Sequence, residues 1–157
     1  MIPGCPCEII AVTPKRGRKL PNEKTDEVDQ MANEYIRFTD DMSAPYSDLV
    51  VVDGKFLFLS GLVSEDLNTG DLVCGTITEE TRQVLDNLKV LLERYGSDMD
   101  HVVRIDVLLR DFAERDEMNA EYVRHFDPKH MPARLCYGNV GLADQCKIEI
   151  AVTAVKA

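Results

Sequence analysis

From residue 49 onward the chain alternates between two hydrophobic periods. Leu49–Val52 and Phe56–Ser60 are short β-prone runs separated by Asp53-Gly54-Lys55, and an Asp-Gly pair in that position signals a hairpin. Asn68-Thr69-Gly70 marks a further turn. The period then lengthens: Ile77, Thr81, Val84, Leu85, Leu88, Leu91, Leu92 and Tyr95 form one stripe, which predicts a helix starting near Thr76 or Thr78. Thr76 with Glu79 fits a capping box, and Gly96 supplies a left-handed stop. Residues 102–109 (VVRIDVLL) return to alternation, with Val103, Ile105, Val107 and Leu109 on one face and Arg104 and Asp106 on the other. A second helix is predicted from about Glu114 to Phe126, with Met118, Tyr122 and Phe126 on one side and Pro128 as its stop. Strands at about 134–140 and 147–155 close the chain.

The order is ββ-α-β-α-ββ, without repeats or low-complexity segments. One mixed sheet covered on one face by two helices, an α+β fold, is the economical arrangement. The second face of that sheet then needs an explanation. In the last strand Ile148, Ile150, Val152 and Ala154 oppose Lys147, Glu149, Ala151, Thr153 and Val155. In the strand before it, Leu135 and Tyr137 oppose Arg134, Cys136 and Gly138. A small, mixed second face predicts an oligomer. Residues 1–40 read as an amino-terminal extension and 41–157 as the domain. Within the extension, 8–12 (EIIAV) suggests a short strand and 14–24 holds Lys15, Arg16, Arg18, Lys19 and Lys24.

Composition narrows the classes of partner. The 157 residues carry 18 basic and 28 acidic side chains, a net charge of −10. Without residues 1–24, which contribute five basic and two acidic groups, the remainder stands at −13. Such a surface repels phosphate backbones and anionic lipid, so neither nucleic acid nor membrane is expected as a partner. No apolar run approaches the roughly 18 residues of a membrane helix. The start, MIPGCPCEIIAV, has no basic leader region. Five cysteines, an odd number, are scattered at 5, 7, 74, 136 and 146. Reduced thiols in the cytoplasm are the expectation. His125 and His130 lack a paired cysteine motif, so no structural zinc site is expected.

The named hydrolase, nucleotide and zinc-peptidase motifs are absent: no GxSxG, P-loop, GxGxxG or HExxH. What remains lies near the carboxyl end. Pro132-Ala133 leads into Arg134, whose guanidinium can hold a carboxylate through two parallel hydrogen bonds. Glu149 follows on a strand that could pair with it, and a glutamate beside a cleft can orient water or carry a proton. An Arg and a Glu on neighbouring strands also form plain ion pairs, and the residues alone leave both readings open.

Several segments, in order and at matching spacing, resemble one family. They are Ala44-Pro45-Tyr46-Ser47, Ser60-Gly61, Asn68-Thr69-Gly70, Thr81-Arg82-Gln83-Val84-Leu85-Asp86-Asn87-Leu88, Asn119-Ala120-Glu121-Tyr122, Pro132-Ala133-Arg134-Leu135-Cys136 and Lys147-Ile148-Glu149-Ile150. Together they resemble the RidA/YjgF reactive-intermediate deaminases, also called the L-PSP endoribonuclease family. The resemblance implies a chorismate-mutase-like α+β fold and a homotrimer whose sheets form an inner barrel, with active sites between subunits. It implies hydrolysis of enamines and imines of 2-oxo acids, such as 2-aminoacrylate or 2-iminobutanoate, with release of ammonia and neither metal nor organic cofactor. By the same resemblance Arg134 anchors the substrate carboxylate and Glu149 holds the attacking water. The main chain at Cys136 bonds the substrate nitrogen, while Tyr46, Ser60, Gly61 and Asn119 line the pocket. Leu62 and Leu135 depart from the family pattern and suggest a reshaped pocket. A larger, aminomuconate-type enamine is therefore one alternative, and a non-enzymatic member binding small carboxylates or a partner protein is another.

Overall fold

Residues 33–40 and 43–157 are described by a computed structural model. The expected strand at 8–12, the basic block at 14–24, and Cys5 and Cys7 lie outside the described residues. Asp53 and Gly54 both take left-handed backbone angles, φ 53° and 62°, and so turn β2 (Leu49–Val52) back onto β3 (Phe56–Leu62). A short strand, β1 (Glu34–Ile36), pairs with the outer side of β2. β6 (Ile148–Val155) lies antiparallel to both β3 and β4 (Val102–Leu109), and β5 (Ala133–Tyr137) runs parallel to β4 at the sheet edge. The sheet order is β1-β2-β3-β6-β4-β5.

Helix α1 (Ile77–Arg94) starts as its capping residues dictate. The Glu79 amide donates to Thr76 Oγ1 at 3.3 Å, and the Thr76 amide donates to the Glu79 carboxylate at 2.8 Å. Gly96 at φ 76° ends it, with the Ser97 amide donating back to the Leu92 carbonyl at 2.9 Å. The second helix, α2, is shorter than its periodicity suggests. It spans Arg115–Tyr122 and tightens into a 3-10 turn at Val123–His125. Phe126 is already extended, in keeping with the approach to Pro128.

Both helices cover one face of the sheet. Val84, Leu85, Leu88 and Leu92 of α1 meet Leu57, Ile105, Val107, Ile150 and Val152 in a single buried cluster, with Met118, Tyr122 and Phe126 closing its α2 end. One inward assignment is corrected. A bulge between Val102 and Arg104 breaks the alternation of β4, so Val102 enters the core and Val103 is 46% exposed. The uncovered face is more apolar than the last two strands alone suggest. Phe56 and Phe58 of β3 join Leu135 and Tyr137 of β5 on it, all exposed. Among the described residues no helix is long and apolar enough to cross a membrane.

Candidate active site

The strand register separates the two charged candidates. Arg134 pairs with Ile105 and Cys136 with Val107, and Ile105 and Val107 are core residues, so Arg134 and Cys136 point to the helix side. Glu149 pairs with Leu108 and alternates with buried Ile148 and Ile150, which puts its side chain on the uncovered side. The expectation that their strands are neighbours is therefore corrected. β4 lies between β5 and β6, a spacing of about 10 Å, and the two side chains leave opposite faces. The plain ion-pair reading goes with it.

Around Arg134 the chain builds a half-open cavity of about 320 Å³ lined by Asn119, Tyr122, Val123, Met131, Pro132 and Arg134. Asn119 and Tyr122 are three residues apart on α2 and so share a helix face. The Arg134 guanidinium carbon stands 4.7 Å over the centre of the Tyr122 ring. The same ring meets Phe126 at 4.9 Å, tilted by 36°. Burial pushes the Tyr122 phenol up to about 12, against the opposing pull of the Arg134 charge, so it stays protonated and neutral. Tyr122 Oη and Asn119 Oδ1 are buried without a hydrogen-bond partner among the described residues.

The Arg134 side chain has neither a hydrogen bond nor an ion pair with any described residue. Two other arginines of the chain show the contrast. Arg110 donates to the carbonyls of Cys146, Leu142 and Asp144, and Arg82 donates to Glu121 at 2.7 Å. A half-buried guanidinium without an anion, set among apolar walls, is suited to take one from solution. Cys136, two residues on, packs against the core, so its thiol is occupied as a small apolar group. Its strand is the outermost of the sheet and is paired on one side only, which leaves main-chain groups for a ligand.

The remaining predicted residues gather elsewhere. Ser60 and Gly61 form the bulge where the β3–β6 register shifts between Leu59 and Leu62. Ser60 Oγ donates to the Ser47 carbonyl at 2.7 Å and its amide donates to the Asp48 carbonyl at 2.9 Å, which ties the loop bearing exposed Tyr46 to the bulge. The Glu149 carboxylate lies against Gly61, in the space a Cβ there would need. The Glu149 side chain, like that of Arg134, has no hydrogen bond or ion pair among the described residues. The chain thus presents two groups: Arg134, Asn119, Tyr122 and Cys136 on one side, and Tyr46, Ser60, Gly61 and Glu149 on the other. Leu62 is buried in the core and Leu135 lies on the uncovered face, so neither lines the Arg134 cavity.

A larger cleft of about 480 Å³ is lined by Asp86, Lys89, Glu93, Asp98, Asp100, Arg124 and His125 among others. It contains no predicted site residue, and Arg124, His125 and Asp98 are engaged by ion partners of their own. No group of three or more His, Cys, Asp or Glu side chains suited to a metal occurs among the described residues. Tyr122 is the residue that sequence reasoning missed as part of a site. Its spacing with Met118 and Phe126 reads as core, and only the shared helix face with Asn119 signals more.

An unpaired cation and an unpaired carboxylate on a one-sided α+β sheet make up the candidate site. The profile of the family described as endoribonuclease L-PSP matches residues 39–156. The chain belongs to this family, the RidA/YjgF group that its residues resemble. It is 37% identical over 112 residues to a RutC family protein of Pyrococcus horikoshii, covering 71% of this chain and 87% of that one. It is 35% identical over 112 residues to human 2-iminobutanoate/2-iminopropanoate deaminase, covering 71% and 80%. The crystal structure of the yeast protein YEO7 superposes with a TM-score of 0.71 at 29% identity, over 80% of this chain and all of that one.

Proposed function

We propose that the protein hydrolyses enamine and imine intermediates of small 2-oxo acids to the 2-oxo acid and ammonia. The observation that carries this reading is the unpaired Arg134 guanidinium in an apolar cavity. Relatives with deaminase names add weight to the same reaction class. Arg134 takes the substrate carboxylate through two charge-assisted hydrogen bonds, and main-chain groups near Cys136 hold the nitrogen. The enamine first tautomerises to the imine. Water held by Glu149 then adds to the imine carbon: the oxygen forms the new C–O bond, the C=N π pair goes to nitrogen, and Glu149 accepts the proton. The same carboxyl group returns that proton to nitrogen, giving the neutral carbinolamine. The hydroxyl proton then passes through Glu149 to the amino group, the C–N bond breaks with its electron pair leaving on ammonia, and the oxygen lone pair forms the carbonyl. An imine carbon is already electrophilic, so alignment of water and charge is sufficient without a covalent enzyme intermediate.

Because Arg134 and Glu149 of one chain leave opposite sheet faces, the working site joins the Arg134 group of one copy to the Glu149 group of another. A homotrimer of the 41–157 domain, packed through the apolar uncovered face and acting in the cytoplasm, is the assembly that this reading requires. The Arg134 cavity gives no support to the larger aminomuconate-type enamine, since neither Leu62 nor Leu135 lines it.

The test is release of 2-oxo acid and ammonia from 2-aminoacrylate generated in situ by a lyase. Wild-type protein is expected to accelerate it, and Arg134→Ala to lose roughly 100-fold or more in kcat/KM while keeping its fold and oligomeric state. Equal rates for wild type and Arg134→Ala would remove the anchor. Tight carboxylate binding without turnover would instead favour a binding protein.

A further inference from the structure

We infer that Tyr122 is a positioning residue of the carboxylate site, its ring serving as the platform that fixes the direction of the Arg134 guanidinium. The inference rests on reading Arg134 as the anchor. An arginine side chain has many rotamers, and a free guanidinium on an edge strand would lose that freedom each time it bound a ligand. Here no carboxylate, carbonyl or hydroxyl of the described residues restrains it. Among the described residues, the aromatic group that meets its charged end is the Tyr122 ring, 4.7 Å from the guanidinium carbon. That ring is itself immobile: Tyr122 is 4% exposed, sits on α2 one turn before Phe126, and meets the Phe126 ring at 4.9 Å.

A cation over an aromatic face keeps its N–H donors unspent, because the ring supplies attraction without accepting conventional hydrogen bonds. A carboxylate in place of the ring would fix the arginine equally well, but it would neutralise the charge that the ligand needs. An aliphatic residue would leave the charge free but give no directional hold. The aromatic platform satisfies both demands. It follows that the ring is the functional part of Tyr122 and that its hydroxyl is secondary.

The probe is 2-oxobutanoate, a carboxylate that resembles the proposed product and does not react. Its binding to the full-length protein is measured by calorimetry alongside imine hydrolysis. Tyr122→Leu is expected to raise both Kd and KM by about 10-fold with a smaller change in kcat. Tyr122→Phe, which keeps the ring, is expected to restore both to within about three-fold of wild type. Arg134→Lys should cost less in the Tyr122→Leu background than in wild type, a coupling that a merely structural role would not produce. Tyr122→Met serves in place of Leu if that variant fails to fold, with oligomeric state and thermal unfolding as controls.

Wild-type affinity in a folded Tyr122→Leu or Tyr122→Met variant overturns the inference. So does a Tyr122→Phe variant as impaired as the aliphatic ones, because the hydroxyl would then be the active part. If wild type binds 2-oxobutanoate through Arg134 but hydrolyses no imine, the hydrolase reading falls and the platform, supported by the same binding series, stands. If Arg134→Ala binds as well as wild type, the anchor and the platform fall together.

Discussion

At Gly61 the absence of a side chain has a definite consequence: the space its Cβ would fill is taken by the Glu149 carboxylate. The backbone there is outside the left-handed region, so alanine is tolerated by the main chain. The neighbour that must yield is the flexible end of Glu149, which can swing away at little cost in stability. Gly61→Ala is therefore expected to melt within a few degrees of wild type yet lose about 100-fold in kcat, since a displacement of about 1 Å in a positioned group has effects of that order. Circular dichroism melts and the lyase-coupled rate measure the two halves, and an unimpaired rate would show that Glu149 works from another position. Little of this was legible in the sequence. Ser60-Gly61 and Glu149 lie far apart along the chain, and only resemblance linked them. Arg134 stood out as a chemical type, but counting 28 acids against 18 bases cannot reveal that none of the described acids reaches it. Tyr122 was legible as an apolar residue and not as a platform, because periodicity reports burial and is silent on what rests on the buried ring.

Elements were more legible than sites because their signals are local. The Asp53-Gly54 turn, the Thr76–Glu79 cap and the Gly96 stop are each decided by a few neighbouring residues, and each forms as its chemistry requires. Contacts between distant segments were not legible. Glu80, an acid in the first turn of α1 that periodicity does not single out, is 1% exposed. Its carboxylate accepts from the Gly75 amide at 3.1 Å, the Lys147 amide at 2.8 Å and Ser64 Oγ at 3.2 Å, so it joins α1 to the turn before it and to the start of β6. Glu121 is a second such case, at the α1–α2 contact. Arg82 donates to it at 2.7 Å and Arg124 at 3.0 Å. The Arg82 hydrogen bond holds the Glu121 carboxyl below its ordinary 4.5, against the opposing effect of burial. A carboxyl with a depressed folded-state pKa stabilises the fold above its unfolded value, and that stabilisation is lost as pH falls through the folded value. Thermal stability should therefore drop below about pH 4.5 more steeply in wild type than in Glu121→Gln. Melting curves between pH 3 and 7 check this, and parallel slopes would assign the acid loss to other carboxylates such as Glu79 or Asp98, which are also held low.

The molecule as a whole is acidic and one-sided, and these properties bear on where the proposed reaction would happen. A net charge of −10 makes the capture of an anionic substrate depend on local geometry, since the general field opposes it. The uncovered sheet face carries exposed Phe58, Leu135 and Tyr137, which a solitary chain would leave in water. Glu149 emerges on that face and Arg134 on the helix side, two strands away. If each working site draws its arginine from one copy and its glutamate from the next, two inactive variants should repair each other. Arg134→Ala supplies an intact Glu149, and Glu149→Gln supplies an intact Arg134. When equal amounts are unfolded and reassembled together, a site works only if its arginine comes from the second variant and its glutamate from the first. Each condition holds for half of the draws, so about one quarter of wild-type activity should return. Reassembling either variant alone should return none. A site contained within one chain predicts no recovery in the mixture either, because every chain then carries a lesion in its own site. The mixing ratio sharpens the test: recovery should peak at equal proportions and fall symmetrically as either variant is put in excess, a curve that residual activity of one variant cannot reproduce.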